Sequence, residues 1–201
     1  MLRALVAFAP VAALLTVTPG AATALVVRSA ATGGRRRALA TTVGNSLGVL
    51  AWGCFAAMGV AAVVATSAEA FTAIKLVGAV VLVVLGLQSL RGHREDPARP
   101  APARGAPLRD GLVTSLANPK LAVFFVALFP QFVPDGAPVL PSALLMAATV
   151  VSFDLVWYSA LAYLVARARR AFVDGLWLAR AQRFTGAVLV GLGVRLAFER
   201  R

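Results

Sequence analysis

Six apolar stretches run along the chain, at about 4–27, 40–64, 70–90, 110–132, 141–166 and 183–198, with short polar bursts between them. The first five are long enough to reach the roughly 20 residues a helix needs to cross the hydrocarbon core of a bilayer. The sixth is weaker: it is apolar from Phe184 to Val194, is interrupted by Arg195 and closes at Phe198. It spans if Arg195 snorkels to an interface. The stretches do not alternate over roughly 10 residues, as strands of a transmembrane barrel do. The pattern predicts an all-α membrane protein with six transmembrane helices.

Composition agrees. Of the 201 residues, 60% are hydrophobic and 14% charged, and the mean hydropathy is +0.82. Soluble domains carry about 25% charged residues, and a water-soluble fold this small could not bury so much apolar surface. The N-terminus has a basic start, an apolar run and an Ala-x-Ala ending at Ala24, which resembles a cleavable signal peptide. Against cleavage, the apolar run continues through Val27, and the motif that begins at Thr18-Pro19-Gly20 runs across the cleavage point.

The net charge of +12 would suit nucleic acid if it formed one patch. Here it falls into the gaps between apolar stretches. Arg28 and Arg35 to Arg37 follow the first stretch; Arg91, Arg94, Arg99, Arg104 and Arg109 follow the third; Arg167, Arg169, Arg170, Arg180 and Arg183 follow the fifth. The other two gaps, TSAE (66–69) and QFVPDGAPVL (131–140), contain no Lys or Arg. Positive loops stay in the cytoplasm. The alternation predicts a multi-pass plasma (inner) membrane protein with three basic loops inside and both termini outside, and it speaks against nucleic acid as a partner. His93, beside Arg94 and Glu95, reads as a solvated loop histidine. Cys54, inside an apolar run, reads as a packing residue, and neither defines a metal site.

The Pro- and Arg-rich segment 91–109 reads as a cytoplasmic linker. It divides a single transporter domain, 1–201, into a first half, 1–90, and a second half, 110–201. With three helices each, the halves have opposite orientation. Their first helices carry matching interruptions: Thr18-Pro19-Gly20 in the first stretch and Asn118-Pro119-Lys120 in the fourth. Proline removes an intrahelical hydrogen bond, and in lipid the freed carbonyl must find another partner. Inverted repeats with broken first helices are a recurrent transporter plan, with the solute site near the midplane. No residue-level identity links the halves, so the repeat rests on layout. Ordinary proline kinks are the competing reading.

Ionisable residues inside spans cost roughly 2.5–3.5 kcal/mol each on insertion scales. Lys75, Lys120, Asp154 and Arg195 lie within the stretches. Lys120 and Asp154 sit about halfway along theirs. Two readings stand side by side: a structural ion pair between them, or contacts to a solute or proton path. Lys75 sits nearer a helix end, where it can snorkel. Asn45 and Ser46 add polarity to the second stretch, flanked by Gly44 and Gly48 at a small-xxx-small spacing that favours close helix packing. Ser152 lies near Asp154. A carrier of zwitterions needs a partner for an ammonium, which Asp154 would supply. It also needs one for a carboxylate, from Lys120 or the backbone amides freed at Pro19-Gly20.

These residues resemble the LysE/RhtB superfamily of amino-acid exporters. The segments carrying the likeness are TPGAATALVVRSAATGGRRRALATTVGNSLG, FTAIKLVGAVVLVVLGLQSLR and, above all, GLVTSLANPKLAVFFVALFPQF at 111–132, where the pattern NPK-x(3)-FF-x(4)-PQF stands almost whole. The resemblance covers nearly the whole chain. It implies a plasma-membrane exporter of amino acids or related metabolites, driven by the proton gradient and acting as a homo-oligomer. Carried over, the pathway residues are Pro19, Gly20, Lys75, Asn118, Pro119, Lys120 and Asp154; Asn45 joins them as a candidate on its own polarity within the second stretch. Three positions depart from the family pattern: PGPN reads Pro19-Gly20-Ala21-Ala22, and the tyrosine after Gly78-Ala79 is Val81.

The function expected is therefore secondary export of a small zwitterionic solute, with protons as the coupling ion. No nucleophile–base pair, carboxylate dyad or metal cluster points to an enzyme, and no cofactor is expected. The alternative of another class is a structural or regulatory membrane protein derived from such an exporter.

Overall fold

A computed structural model describes residues 1–64, 106–134 and 136–167, together with isolated helical positions within 73–87 and 187–194. Among the described residues the protein is all-helical, with no strand.

Helix α1, Leu2–Val17, ends where Pro19 requires. The residue before a proline is pushed out of helical geometry, and Thr18 is extended at φ −62° and ψ 111°. Helix α2, Ala21–Val64, begins directly after Gly20 and is helical throughout except at Gly34, with φ 72° and ψ −174°. A left-handed φ suits glycine, which has no Cβ to clash. The chain reverses there: Thr41 Oγ1 donates to Ser29 Oγ at 3.0 Å. Twelve residues of straight helix would separate them by about 18 Å. The two arms, 21–33 and 35–64, thus form a helical hairpin. The Arg-rich loop expected after the first stretch is a helical continuation with one glycine hinge, because Ala, Thr and Arg are compatible with helix on both sides.

Helix α3, Pro107–Leu116, opens on a proline at its first turn, where the missing N–H costs nothing. Helix α4, Pro119–Val123, follows and runs into a π-helical turn, Phe124–Leu128, and a 3-10 turn, Phe129–Phe132. The axes of Pro107–Leu116 and Pro119–Phe132 differ by 49°. Both expected interruptions are therefore real breaks. Helix α5, Val139–Arg167, is unbroken over 29 residues.

Among the described residues, α2 over Ala21–Gly59, in which the arm beyond Gly34 has the length by itself, and α5 are long and apolar enough to cross a membrane, and the bent α3–α4 segment adds a third candidate. Large apolar side chains face outward, among them Val156 at 73% and Met58 at 61% exposure, as expected of helices that meet lipid rather than water. Most of the third and sixth expected stretches lies outside the described residues. Gly193 is packed against Ala79 and Val83, so these two stretches touch.

The larger core joins Phe8, Val11, Ala12 and Leu15 of α1 to Phe124, Phe125 and Phe129, and to Met146 and Val150 of α5. Phe8 meets Phe124 at 5.7 Å and Phe132 at 5.3 Å between ring centroids, both within the favourable range for aromatic pairs. A second cluster joins Ala22, Val26, Ala30 and Ala38 of α2 to Tyr158, Leu161, Ala162 and Val165 of α5. The polar site lies where these clusters meet.

The Gly44–Gly48 spacing packs inside the chain. A Cβ on Gly44 would stand 1.9 Å from the Leu108 carbonyl oxygen, and one on Gly111 would stand 2.1 Å from that of Thr41. Helices α2 and α3 thus touch backbone to backbone, as small residues allow.

Candidate functional site

The buried face of α5 runs through Ala143, Met146, Ala147, Val150, Asp154, Tyr158, Leu161 and Val165, a helical stripe of three- and four-residue steps. Besides Ser142 in the first turn, two polar residues, Asp154 and Tyr158, occupy places in that stripe where apolar ones are expected. Such a substitution in a lipid-facing protein requires partners.

Asp154 has two. Thr16 Oγ1, in the last turn of α1, donates to Asp154 Oδ1 at 2.7 Å. Asn45 Nδ2, on the second arm of α2, donates to Asp154 Oδ2 at 3.0 Å. The carboxylate thus ties three helices together. Asp154 is 3% exposed and Asn45 2%. Each hydrogen bond to an ionised group is of the stronger kind.

Lys120, 6% exposed, is placed by its own break. Asn118 caps α4, its Oδ1 accepting from the Lys120 backbone amide at 3.0 Å, as a good N-cap residue does. Pro119 fills the first helical position. The Lys120 side chain then reaches the other break: Nζ donates to the Leu15 carbonyl at 3.1 Å and to the Thr18 carbonyl at 3.0 Å. In an unbroken helix the Leu15 carbonyl would accept from the residue at position 19. That residue is proline and has no N–H. The lysine ammonium also stands at the C-terminal, negative end of the α1 dipole.

Thr16, Asn45, Asn118, Lys120, Asp154 and Tyr158 share the wall of one cavity of about 10 Å³ with Ala22, Val150 and two leucines. That volume is about the room one water centre requires. Lys120 and Asp154 face the same space and interact electrostatically. Ala22 brings the first turn of α2 to the wall, where backbone amides lack helical acceptors.

Of the residues expected from sequence, Asn45, Asn118, Lys120 and Asp154 meet at this cavity. Pro19 is buried at the break beside it, Gly20 half-buried, and Pro119 exposed at the start of α4. Lys75 lies outside the described residues. Ser152 does not join: it is exposed, and its hydroxyl donates to Ala148 of its own helix at 2.8 Å. An i, i+2 spacing puts two residues on different helix faces. Thr16 and Tyr158 are members that the sequence reading did not single out. Tyr158 was recoverable from its i+4 spacing to Asp154. Thr16 had no such signal beyond its closeness to Pro19.

Comparison with known proteins adds the following. The family model described as LysE type translocator matches residues 13–200. The threonine efflux protein of Escherichia coli (strain K12) is 30% identical, with 100% of this chain and 99% of that protein covered. The homoserine/homoserine lactone efflux protein of Salmonella typhimurium is 28% identical over 93% of this chain and 92% of its own. An uncharacterized membrane protein of Bacillus subtilis, YrhP, is 26% identical over 96% and 98%. No solved structure matches the chain.

Proposed function

Since the chain belongs to the LysE type translocator family, a family of transporters and not of enzymes, we propose that it exports amino acids or closely related small zwitterions across the inner membrane. The observation that carries this reading is the cavity where Asp154, Asn45, Thr16 and Lys120 converge between two broken helices. The names of the threonine and homoserine efflux relatives point to the same solute class.

In this reading Asp154 receives the solute ammonium. The carboxylate goes to the first-turn amides of α2 beside Ala22, where the helix dipole favours an anion. Lys120 already donates to two carbonyls, so its principal task is to hold the α1 break open. Protons drive the cycle, with Asp154, the buried acid of the site, as carrier.

Around this site the chain forms six spans in two inverted three-helix halves, 1–90 and 110–201, joined by a cytoplasmic linker at 91–109, and it assembles as a homo-oligomer. Both termini lie outside. The support is the placement of arginines in alternate gaps, the two observed breaks and the rule that positive loops stay inside.

The test of export is a growth screen of an overexpressing strain against a broad panel of toxic amino-acid analogues. Resistance to one class, with a lowered internal pool of the matching amino acid, is the expected result. Resistance to none of them removes the amino-acid reading and favours a structural role. Topology is tested by single cysteines in 91–109 on a Cys54→Ala background: labelling from the cytoplasmic side only is expected, and labelling from outside overturns the orientation.

A further inference from the structure

Asn45 has work left over after its contact with Asp154. Its Nδ2 donates to the carboxylate, but its Oδ1 is buried and has no hydrogen-bond partner among the described residues. Facing the carboxylate in its ionised form, which only accepts, the amide presents its nitrogen. A buried acceptor left unpaired costs roughly 1–3 kcal/mol, and a hydrophobic residue of the same size would avoid that cost. Asn45 lines the same cavity as Asp154.

We infer that Asn45 Oδ1 and the Asp154 carboxylate together form a subsite for a primary ammonium group. The inference rests on the export reading and deepens it by naming the chemical class selected. A primary ammonium has three N–H donors, enough to serve Asp154 and Asn45 at once. A dimethylated amine has a single N–H, which goes to the carboxylate and leaves Asn45 Oδ1 unpaired. Asn45 thereby sets selectivity for unsubstituted amines, while Asp154 provides the charge.

The experiment measures binding of L-threonine, L-homoserine, glycine and N,N-dimethyl-L-threonine to the purified full-length protein in detergent by calorimetry, with vesicle counterflow of the same solutes as a separate readout. Wild type is expected to bind L-threonine at least about tenfold more tightly than its dimethyl form, the worth of one hydrogen bond to a charged group. In Asn45→Leu that ratio is expected to fall close to one. The inference is overturned if wild type does not discriminate, if it binds none of the primary amines, or if Asn45→Leu weakens both ligands by the same factor, as a merely structural role would. Should Asn45→Leu fail to insert, the wild-type ratio decides. Discriminating binding without counterflow leaves the ammonium subsite standing and removes the export reading instead.

Discussion

Lys120 Nζ donates to the carbonyl oxygen of Leu15, the acceptor that Pro19 leaves without its helical donor. The carbonyl freed by the break in one helix is satisfied by a side chain from the break in another, more than a hundred residues away in sequence. Neither interruption is an isolated kink, and each explains the other.

Lys120→Met is therefore expected to leave the Leu15 and Thr18 carbonyls unsatisfied and to destabilise the protein by about 1–3 kcal/mol. Pro19→Ala gives the Leu15 carbonyl a local donor. The double variant should lose less stability than the two single losses combined. Thermal unfolding in detergent reads this cycle; strict additivity would mean the contact carries no energy.

Asp154→Asn should insert and fold, because the amide still accepts from Thr16, while transport falls below detection. Export comparable to wild type would remove Asp154 from the mechanism.

Thr16→Val keeps the shape of the side chain and deletes the donor at 2.7 Å from Asp154. A hydrogen bond to a charged group contributes about 1.5–3 kcal/mol. Half-maximal solute concentration is expected to rise by about tenfold or more, with the protein still folded by size-exclusion chromatography.

Gly44→Ala sets a Cβ 1.9 Å from the Leu108 backbone, whereas a Cβ on Gly59, on the same helix, meets nothing within 4 Å. The first change should destabilise by about 1–3 kcal/mol, as overpacking does, and the second should be neutral or mildly stabilising. Equal melting temperatures for the two variants would contradict the close contact of α2 and α3.

Phe8→Ala removes a fully buried ring that meets Phe124 and Phe132. A loss of about 3–5 kcal/mol is expected, measurable by the same unfolding assay.

Both breaks were readable in the chain because proline acts locally: it removes one named donor and restricts its neighbour. Asp154 and Lys120 stood out because charge is rare in apolar stretches. The reversal between the first and second stretches was readable from the arginines in that gap, but not that its arms stay helical up to the single non-helical residue Gly34, since Gly33-Gly34 followed by three arginines looks like any loop. Nor was the task of Lys120. Its spacing in sequence suggests a partner of opposite charge, and only the fold brings it to the carbonyls of α1. The π turn at Phe124–Leu128 has no pattern of its own in the sequence.

Gly44 and Gly111 have a consequence for motion. Where two helices touch through their backbones, no side chain can change rotamer to let one slide past the other. The second arm of α2 and helix α3 therefore behave as one stiff beam. Any movement that admits and releases a solute falls to the parts hinged against it: α1, which stops at Pro19, and the kinked run from Pro119 to Phe132.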